Sequence, residues 1–201
     1  MSECFVMPPP RPTTQAAEGL PRWRWTVAEL ERLDAAGFFT EYDRIELLGG
    51  EIVQKPSRAE RLHEVIREEL SFRMMQQAPK GVRAAPVPAF NLSADTYFKP
   101  DMLVHPRAIR SYDLRGAEAL LVIEVAEAAT LDYDLKTKTS CYAAHGIPEY
   151  WVINAATRMT TVFRQPAGEA YAVTADIPYG TRLIPTFVPE LALSLSELDL
   201  D

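Results

Sequence analysis

Long apolar runs, cysteines and surplus positive charge are what this 201-residue chain has least of. No stretch approaches the roughly 18 consecutive apolar residues of a membrane-spanning helix, so no bilayer span is expected. The two cysteines, Cys4 and Cys141, fall in a proline-rich lead-in and inside a predicted helix. They make no disulfide framework and point to a reducing, cytoplasmic setting. The formal net charge of -7 excludes a protein that coats nucleic acid through bulk positive charge. It leaves room for a local basic face, and acids that bind a divalent cation count toward the same balance.

The opening MSECFVMPPPRPTTQAAEGLPR is rich in proline and small polar residues and has no apolar periodicity. It also lacks the charged start and apolar core of a signal peptide. Residues 1–22 are therefore expected to be a flexible lead-in. The remainder, 23–201, has the length of a single domain with a sizeable core.

In TVAELERLDAAG, Thr26 with Glu29 three residues on forms a capping box and Gly37 is a stop, which predicts a short helix. RIELLGGEIVQK predicts a hairpin turning at Gly49-Gly50. From Arg58 to about Gln77, Leu62, Val65, Ile66, Leu70 and Met74 recur at helical spacing. VPAFNLSADTYFKPDMLVHP predicts two strands turning near Ser93 to Asp95, with Asp101 in the second. ALLVIEVA is apolar on both alternating faces, as a central covered strand is. A helix from Asp132 to His145, stopped by Gly146 and Pro148, precedes the short strands EYWVIN, TTVFRQ and AYAVTA. The order implies an α/β (α+β) fold with a mixed sheet flanked by helices.

One residue breaks the apolar logic. Glu124 lies inside the central strand, and an uncompensated buried carboxylate costs several kcal/mol or more. Alternation puts Glu124 on one face with Val122 and Ala126, and Asp101 on one face with Leu103 and His105. If the two strands are neighbours, their acids meet, and two hard oxygen ligands plus water are what Mg²⁺ typically takes. On the next helix, at about 100° per residue, Leu131, Leu135 and Tyr142 share a narrow arc and Lys138 lies about 60° from Leu135. Lys138 therefore points toward the sheet, where it can neutralise Glu124. The competing reading is a surface pair between Asp134 and Lys138 at i, i+4. That reading leaves a carboxylate in a central strand unexplained.

KPDMLVHP, VIEV, YDLKTKTSCYAAHGIPEYWVI and IELLGGEIV together resemble the Uma-type restriction endonucleases of the PD-(D/E)XK nuclease superfamily. The resemblance spans about Thr26 to Asn154. It implies a restriction-endonuclease-like fold, DNA as substrate, Mg²⁺ as cofactor with Mn²⁺ as a substitute, and a homodimer. It implies that Asp101 is the motif aspartate and Glu124 the second acid. The lysine expected two residues on is replaced by Ala126, and Lys138 matches the helix lysine that takes over. It further implies a histidine at the start of the earlier helix, matched by His63 as a metal ligand, and a hairpin acid. Glu51 is preferred for that acid over Glu46. In AEAAT, Glu127 and Ala129 stand where small hydroxyl residues are expected.

The expected activity is metal-dependent hydrolysis of DNA by Asp101, Glu124 and Lys138, with Glu51 and His63 in support. The alternative is a nuclease-fold module that binds DNA or a protein partner without efficient cleavage. A two-carboxylate glycoside hydrolase would need neither metal nor lysine. The arginines Arg58, Arg61, Arg67 and Arg73 of the second helix lie among glutamates, as on an ordinary solvated face, or form a phosphate-contacting one.

Overall fold

The computed structural model describes residues 22–40, 43–56, 60–87 and 89–200. The lead-in expected at 1–22 lies outside the described residues except for Arg22, and Cys4 and Arg58 lie outside them too. The first helix, α1 (Val27–Ala35), starts where its capping box does. Thr26 Oγ1 accepts from the Glu29 amide at 3.2 Å, and Glu29 Oε2 accepts from the Thr26 amide at 2.8 Å. Strands β1 (Ile45–Leu48) and β2 (Glu51–Gln54) form the hairpin, with φ of 54° at Gly49 and 80° at Gly50. Two consecutive positive φ values are what this turn requires, and glycine supplies them without steric cost.

Helix α2 (Arg61–Gln77) buries Ile66, Leu70 and Met74 and leaves Leu62 and Val65 partly covered on the same core. The strands that follow are β3 (Val82–Ala85), β4 (Phe90–Ser93), β5 (Thr96–Phe98), β6 (Met102–Pro106) and β7 (Leu121–Ala126). A π-helical segment (Tyr133–Lys138) runs into α3 (Thr139–Ala144), and β8 (Glu149–Asn154), β9 (Thr160–Ala167) and β10 (Ala170–Ile177) complete the fold.

Two sheets result, one ordered β2-β1-β5-β4 and one ordered β10-β9-β8-β7-β6-β3. Every pairing is antiparallel except β7 with β8, which the helical crossover makes parallel. All six residues of β7 are buried. Leu121, Ile123 and Val125 pack in the core that contains the α2 stripe, while Val122 and Ala126 pack with Tyr142 and Phe98. Both faces of this strand are covered, as its apolar composition requires.

The structure departs from the two strands read across 87–106. Three strands lie there, and the chain passes from the smaller sheet to the larger between β5 and β6. Pro100 sits at the passage and has no amide to extend a ladder, so Asp101 stands just outside β6 rather than within a strand. Strand β3, with the sequence VRAA, carries too little apolar alternation to have been read as one.

An aromatic row lies under the Glu124 face of the larger sheet. Phe98, Tyr142, Tyr150, Phe163 and Tyr171 follow one another with ring centroids 5.3, 4.8, 5.7 and 5.8 Å apart. Their hydroxyls are not left bare: Tyr150 donates to the Asp134 carbonyl and Tyr171 to the Ile147 carbonyl. The row therefore gives apolar burial and polar anchoring together. Glu149, fully buried, accepts from Trp151 Nε1, Arg164 Nε and the Thr186 amide, tying the C-terminal segment to β8.

Gly116 closes the end of α3. A Cβ at this position would stand 2.3 Å from the His145 carbonyl oxygen and 3.0 Å from the His145 Cβ, although its φ is not in the left-handed region. Gly116→Ala is thus expected to force the backbone apart and lower the urea midpoint by the equivalent of about 1–3 kcal/mol, with an unchanged denaturant slope. A midpoint equal to that of the wild type in an equilibrium urea titration would contradict this contact.

Candidate active site

The carboxylate of Glu124 is 1% exposed and its two partners come from the helical run that follows β7. Oε1 accepts from Lys138 Nζ at 2.7 Å and from the Tyr142 hydroxyl at 3.1 Å. Oε2 is buried with no hydrogen-bond partner. Lys138 is 0% exposed and also donates to Glu46 Oε1 at 2.9 Å, with Asp134 Oδ1 at 3.5 Å. The Phe98 and Tyr133 rings face its Nζ at 5.0 and 5.5 Å, so the ammonium is enclosed by carboxylates and π faces. The pair read as a possible surface salt bridge exists, but both Asp134 and Lys138 are buried.

Asp134 and Lys138 are four residues apart on the π-helical segment, a spacing that keeps them on one side of an α- or a π-helix alike, and both are buried on that side. Thr139 Oγ1 and the Tyr150 hydroxyl donate to the Asp134 carbonyl at 3.0 and 3.1 Å, which stabilises that turn. Such insertions into helices are frequent at functional sites.

Asp101 is approached from the other side. The register Leu103↔Val122, Met102↔Ile123 leads, one step further, to Asp101 opposite Glu124. Asp101 Oδ2 accepts from the Val125 amide at 2.8 Å, and Oδ1 lies 3.4 Å from His63 Nε2. His63, at the start of α2, is 2% exposed and its Nδ1 has no hydrogen bond. The site thus brings Asp101, Glu124, Lys138 and His63 into one region where β6, β7, α2 and the π-helical segment meet. His63 turns Nε2 toward Asp101 as its partner.

Glu51 is not brought there. It is exposed on β2, an edge strand, where a carboxylate stays hydrated. Glu46, on the interior strand β1, is 1% exposed and takes that position. Its Oε1 also accepts from the Lys99 amide at 3.1 Å and lies 3.6 Å from the buried Lys55 Nζ. Glu46 was legible as an acid between Ile45 and Leu47. Lys55 carried no local signal that would have joined it to the site, whereas the i, i+4 spacing of Asp134 to Lys138 and the inward arc of Tyr142 were signals for those two.

Four buried carboxylates, those of Glu46, Asp101, Glu124 and Asp134, face two buried lysines, Lys55 and Lys138. Burial alone would raise the Glu46 carboxyl, but Lys138 and Lys55 outweigh it and hold it below its ordinary value. Burial likewise would raise Asp101, and the hydrogen bond and charge of His63 bring it down. His63 in turn is raised, because Asp101 outweighs its desolvation. Lys138 is held well above its usual value by Glu124, Glu46 and Asp134 against the cost of burial. For Glu124 burial prevails over the attraction of Lys138 and Lys55, and its carboxyl is pushed up to about 7. The excess negative charge collects on this group, where either a proton or a cation balances it.

Among the described residues, no group of three or more His, Cys, Asp or Glu side chains is disposed to hold a metal ion. What fits a hard cation is a pair: Glu124, with its buried and unpartnered Oε2, and Asp101 next to it. Mg²⁺ usually takes one or two carboxylates and keeps waters on its other positions. Above Asp101 a cleft of about 200 Å³ opens, lined among others by Arg44, His63, Arg67 and Lys99. Among the described residues no helix is long and apolar enough to cross a membrane.

The sequence matches the Uma2 family, described as "Putative restriction endonuclease", over residues 27–196. No curated protein matches it. Among solved structures the fold is similar to that of a "putative nuclease belonging to DUF820" from Anabaena variabilis ATCC 29413. The two are 20% identical with a TM-score of 0.66, over 87% of this chain and 96% of that one, a likeness of fold.

The strained protonation of Glu124 has a measurable consequence. In the unfolded chain its carboxyl ionises near its ordinary 4.5, and in the folded protein near about 7. Between those values the folded state holds a proton that the unfolded state has released, so stability from this group is lost as pH rises through that window. Glu124→Gln has no proton to lose. In metal-free buffer the margin between its melting temperature and that of the wild type is expected to move in the variant's favour from about pH 5 to about pH 8. Scanning calorimetry across that range would refute the assignment if the margin were constant.

Proposed function

The chain belongs to the Uma2 family, and from that premise we propose that it is a metal-dependent endonuclease that hydrolyses DNA phosphodiester bonds. The observation that carries the proposal is the buried Oε2 of Glu124, unpartnered beside Asp101 in a site where Lys138 already takes up Oε1. Asp101 and Glu124 would hold Mg²⁺, with Mn²⁺ as a substitute. A cation of this kind supplies Lewis-acid stabilisation of phosphate charge and lowers the pKa of water.

The residues of the chain do the rest. Lys138 has three N–H donors, of which Glu124 and Glu46 take two at short distance while Asp134 stands at 3.5 Å. The third donor is the one available to orient an attacking water or to stabilise charge on a phosphoryl oxygen. The Val125 amide and His63 fix the Asp101 carboxylate in rotation. Tyr142 does the same for Glu124 from the aromatic row. Cutting both strands of a duplex suits a two-fold dimer, and we propose that arrangement for the active form.

One observation favours a second reading, a nuclease-fold module that binds without cutting: Lys138 is sealed from solvent. Plasmid and single-stranded DNA incubated with Mg²⁺ or Mn²⁺, beside an Asp101→Ala control, separate the two. Cleavage lost in Asp101→Ala supports the enzyme, and wild-type protein that cuts neither DNA supports the module.

Within the enzyme reading, Lys138→Met is expected to leave Mn²⁺ binding nearly intact while lowering cleavage per folded molecule by about a hundredfold or more, roughly 3 kcal/mol of transition-state stabilisation. Glu124→Gln should instead weaken the Mn²⁺ affinity itself, because a neutral amide replaces a charged oxygen ligand. Titration calorimetry and single-turnover cleavage check the pair, and equal metal affinity in Glu124→Gln and wild type would remove Glu124 from the metal.

A further inference from the structure

We propose that Arg44 is a phosphate-gripping residue of the cleft and that Glu127 is its positioning residue, an inference that rests on the endonuclease reading for the identity of its ligand. Arg44 lies just before β1 and lines the cleft above Asp101, with Arg67 and Lys99 beside it. Glu64 and Asp101 line the same cleft and Arg67 pairs with Glu64, so in a chain of net charge -7 the positive charge offered there to a nucleic-acid backbone is carried mainly by Arg44 and Lys99.

One end of the guanidinium is tied down. Its NH1 donates to the Pro56 carbonyl at 3.3 Å and lies 3.6 Å from Glu127 Oε1. Among the described residues its Nε and NH2 make no hydrogen bond, and the side chain is 25% exposed. A planar fork with one edge anchored and the other free is prepared for the oxygens of a phosphate, with less rotamer freedom to lose than an unanchored arginine.

Glu127 is built to do the anchoring. It sits where β7 gives way to the helix, and its carbonyl accepts the amides of Thr130 and Leu131 at 3.0 and 2.8 Å. Its own amide donates to Thr130 Oγ1 at 3.2 Å. The backbone is thereby held at both polar groups, and the side chain is 3% exposed. Its Oε1 is buried without a hydrogen bond, a cost that a merely decorative acid would avoid by turning to water. This acid stands where a small hydroxyl residue is expected from the resemblance, and that hydroxyl could not reach an arginine with opposite charge.

The test is a double-mutant cycle on DNA binding, read by fluorescence anisotropy with a short labelled duplex in EDTA, so that no cleavage enters. Arg44→Gln is expected to weaken binding about tenfold near 0.1 M salt and to reduce the slope of log affinity against log salt by about one. Arg44→Lys should keep that slope while losing affinity, because the charge remains and the anchored fork does not. Glu127→Gln should weaken binding about threefold in the wild-type background and change nothing in the Arg44→Gln background, since it acts through Arg44. Each variant is compared by thermal melting, which a purely structural loss would move and the salt slope would not. Glu127→Gln that tightens binding, or has the same effect in both backgrounds, overturns the positioning role. Wild-type protein that does not bind the duplex overturns the grip itself. Binding with the expected cycle but no cleavage of any DNA with Mn²⁺ keeps this proposal and removes the endonuclease reading. Cleavage whose KM is unmoved by Arg44→Gln does the reverse.

Discussion

The ammonium of Lys138, sealed from water between two sheets, is the constraint on which the centre of this molecule depends. It is reached by Glu46 from the smaller sheet, by Glu124 from the larger, and by Asp134 from its own helical turn. Removing one partner from a buried ion pair commonly costs about 3–5 kcal/mol, because the other charge is left uncompensated. Replacing the whole group with apolar residues often costs nothing or stabilises. A core made only for stability therefore has no use for such a cluster. Its presence marks a place where the fold accepts an electrostatic penalty, and the raised Glu124 carboxyl is where that penalty is concentrated.

Around this point the aromatic row and the basic cleft are complementary. The rings from Phe98 to Tyr171 exclude water from the base of the site and present the Tyr142 hydroxyl upward. The cleft on the Asp101 side admits solvent and carries Arg44, Arg67 and Lys99. Lys99 joins the cleft to the buried ion cluster, since its amide donates to Glu46 while its side chain is exposed at the mouth. The electrostatic cluster thus fixes the position of at least one surface cation as well as the buried acids.

How far the sequence disclosed this follows from the range of each interaction. The Thr26-Glu29 capping box, the Gly49-Gly50 turn and the double-faced strand of Glu124 are local, and each appeared where its pattern put it. The inward aim of Lys138 followed from helical phase, and the same phase brings Asp134, four residues earlier, inward with it, although the turn is π-helical. Glu46 and Glu51 flank one turn, and the local pattern does not separate them. Only the strand order, with β1 inside and β2 at the edge, distinguishes them. Asp101 fell outside its strand because a transfer between sheets at Pro100 leaves no trace in alternation. Glu127 was visible as an irregularity, but its arginine lies far back in the chain, before β1.

Glu46 and Lys138 are 92 residues apart, and the four elements that meet at the site come from both halves of the described chain. Contacts of such separation are the slow ones in folding, since their loop-closure entropy is met before they contribute. Each local element can form without the site, whereas the site cannot form without all of them. A chain that is compact but wrongly assembled would leave its acids and lysines hydrated and apart. The dependence is written into topology: the buried cluster arrives only with the completed fold.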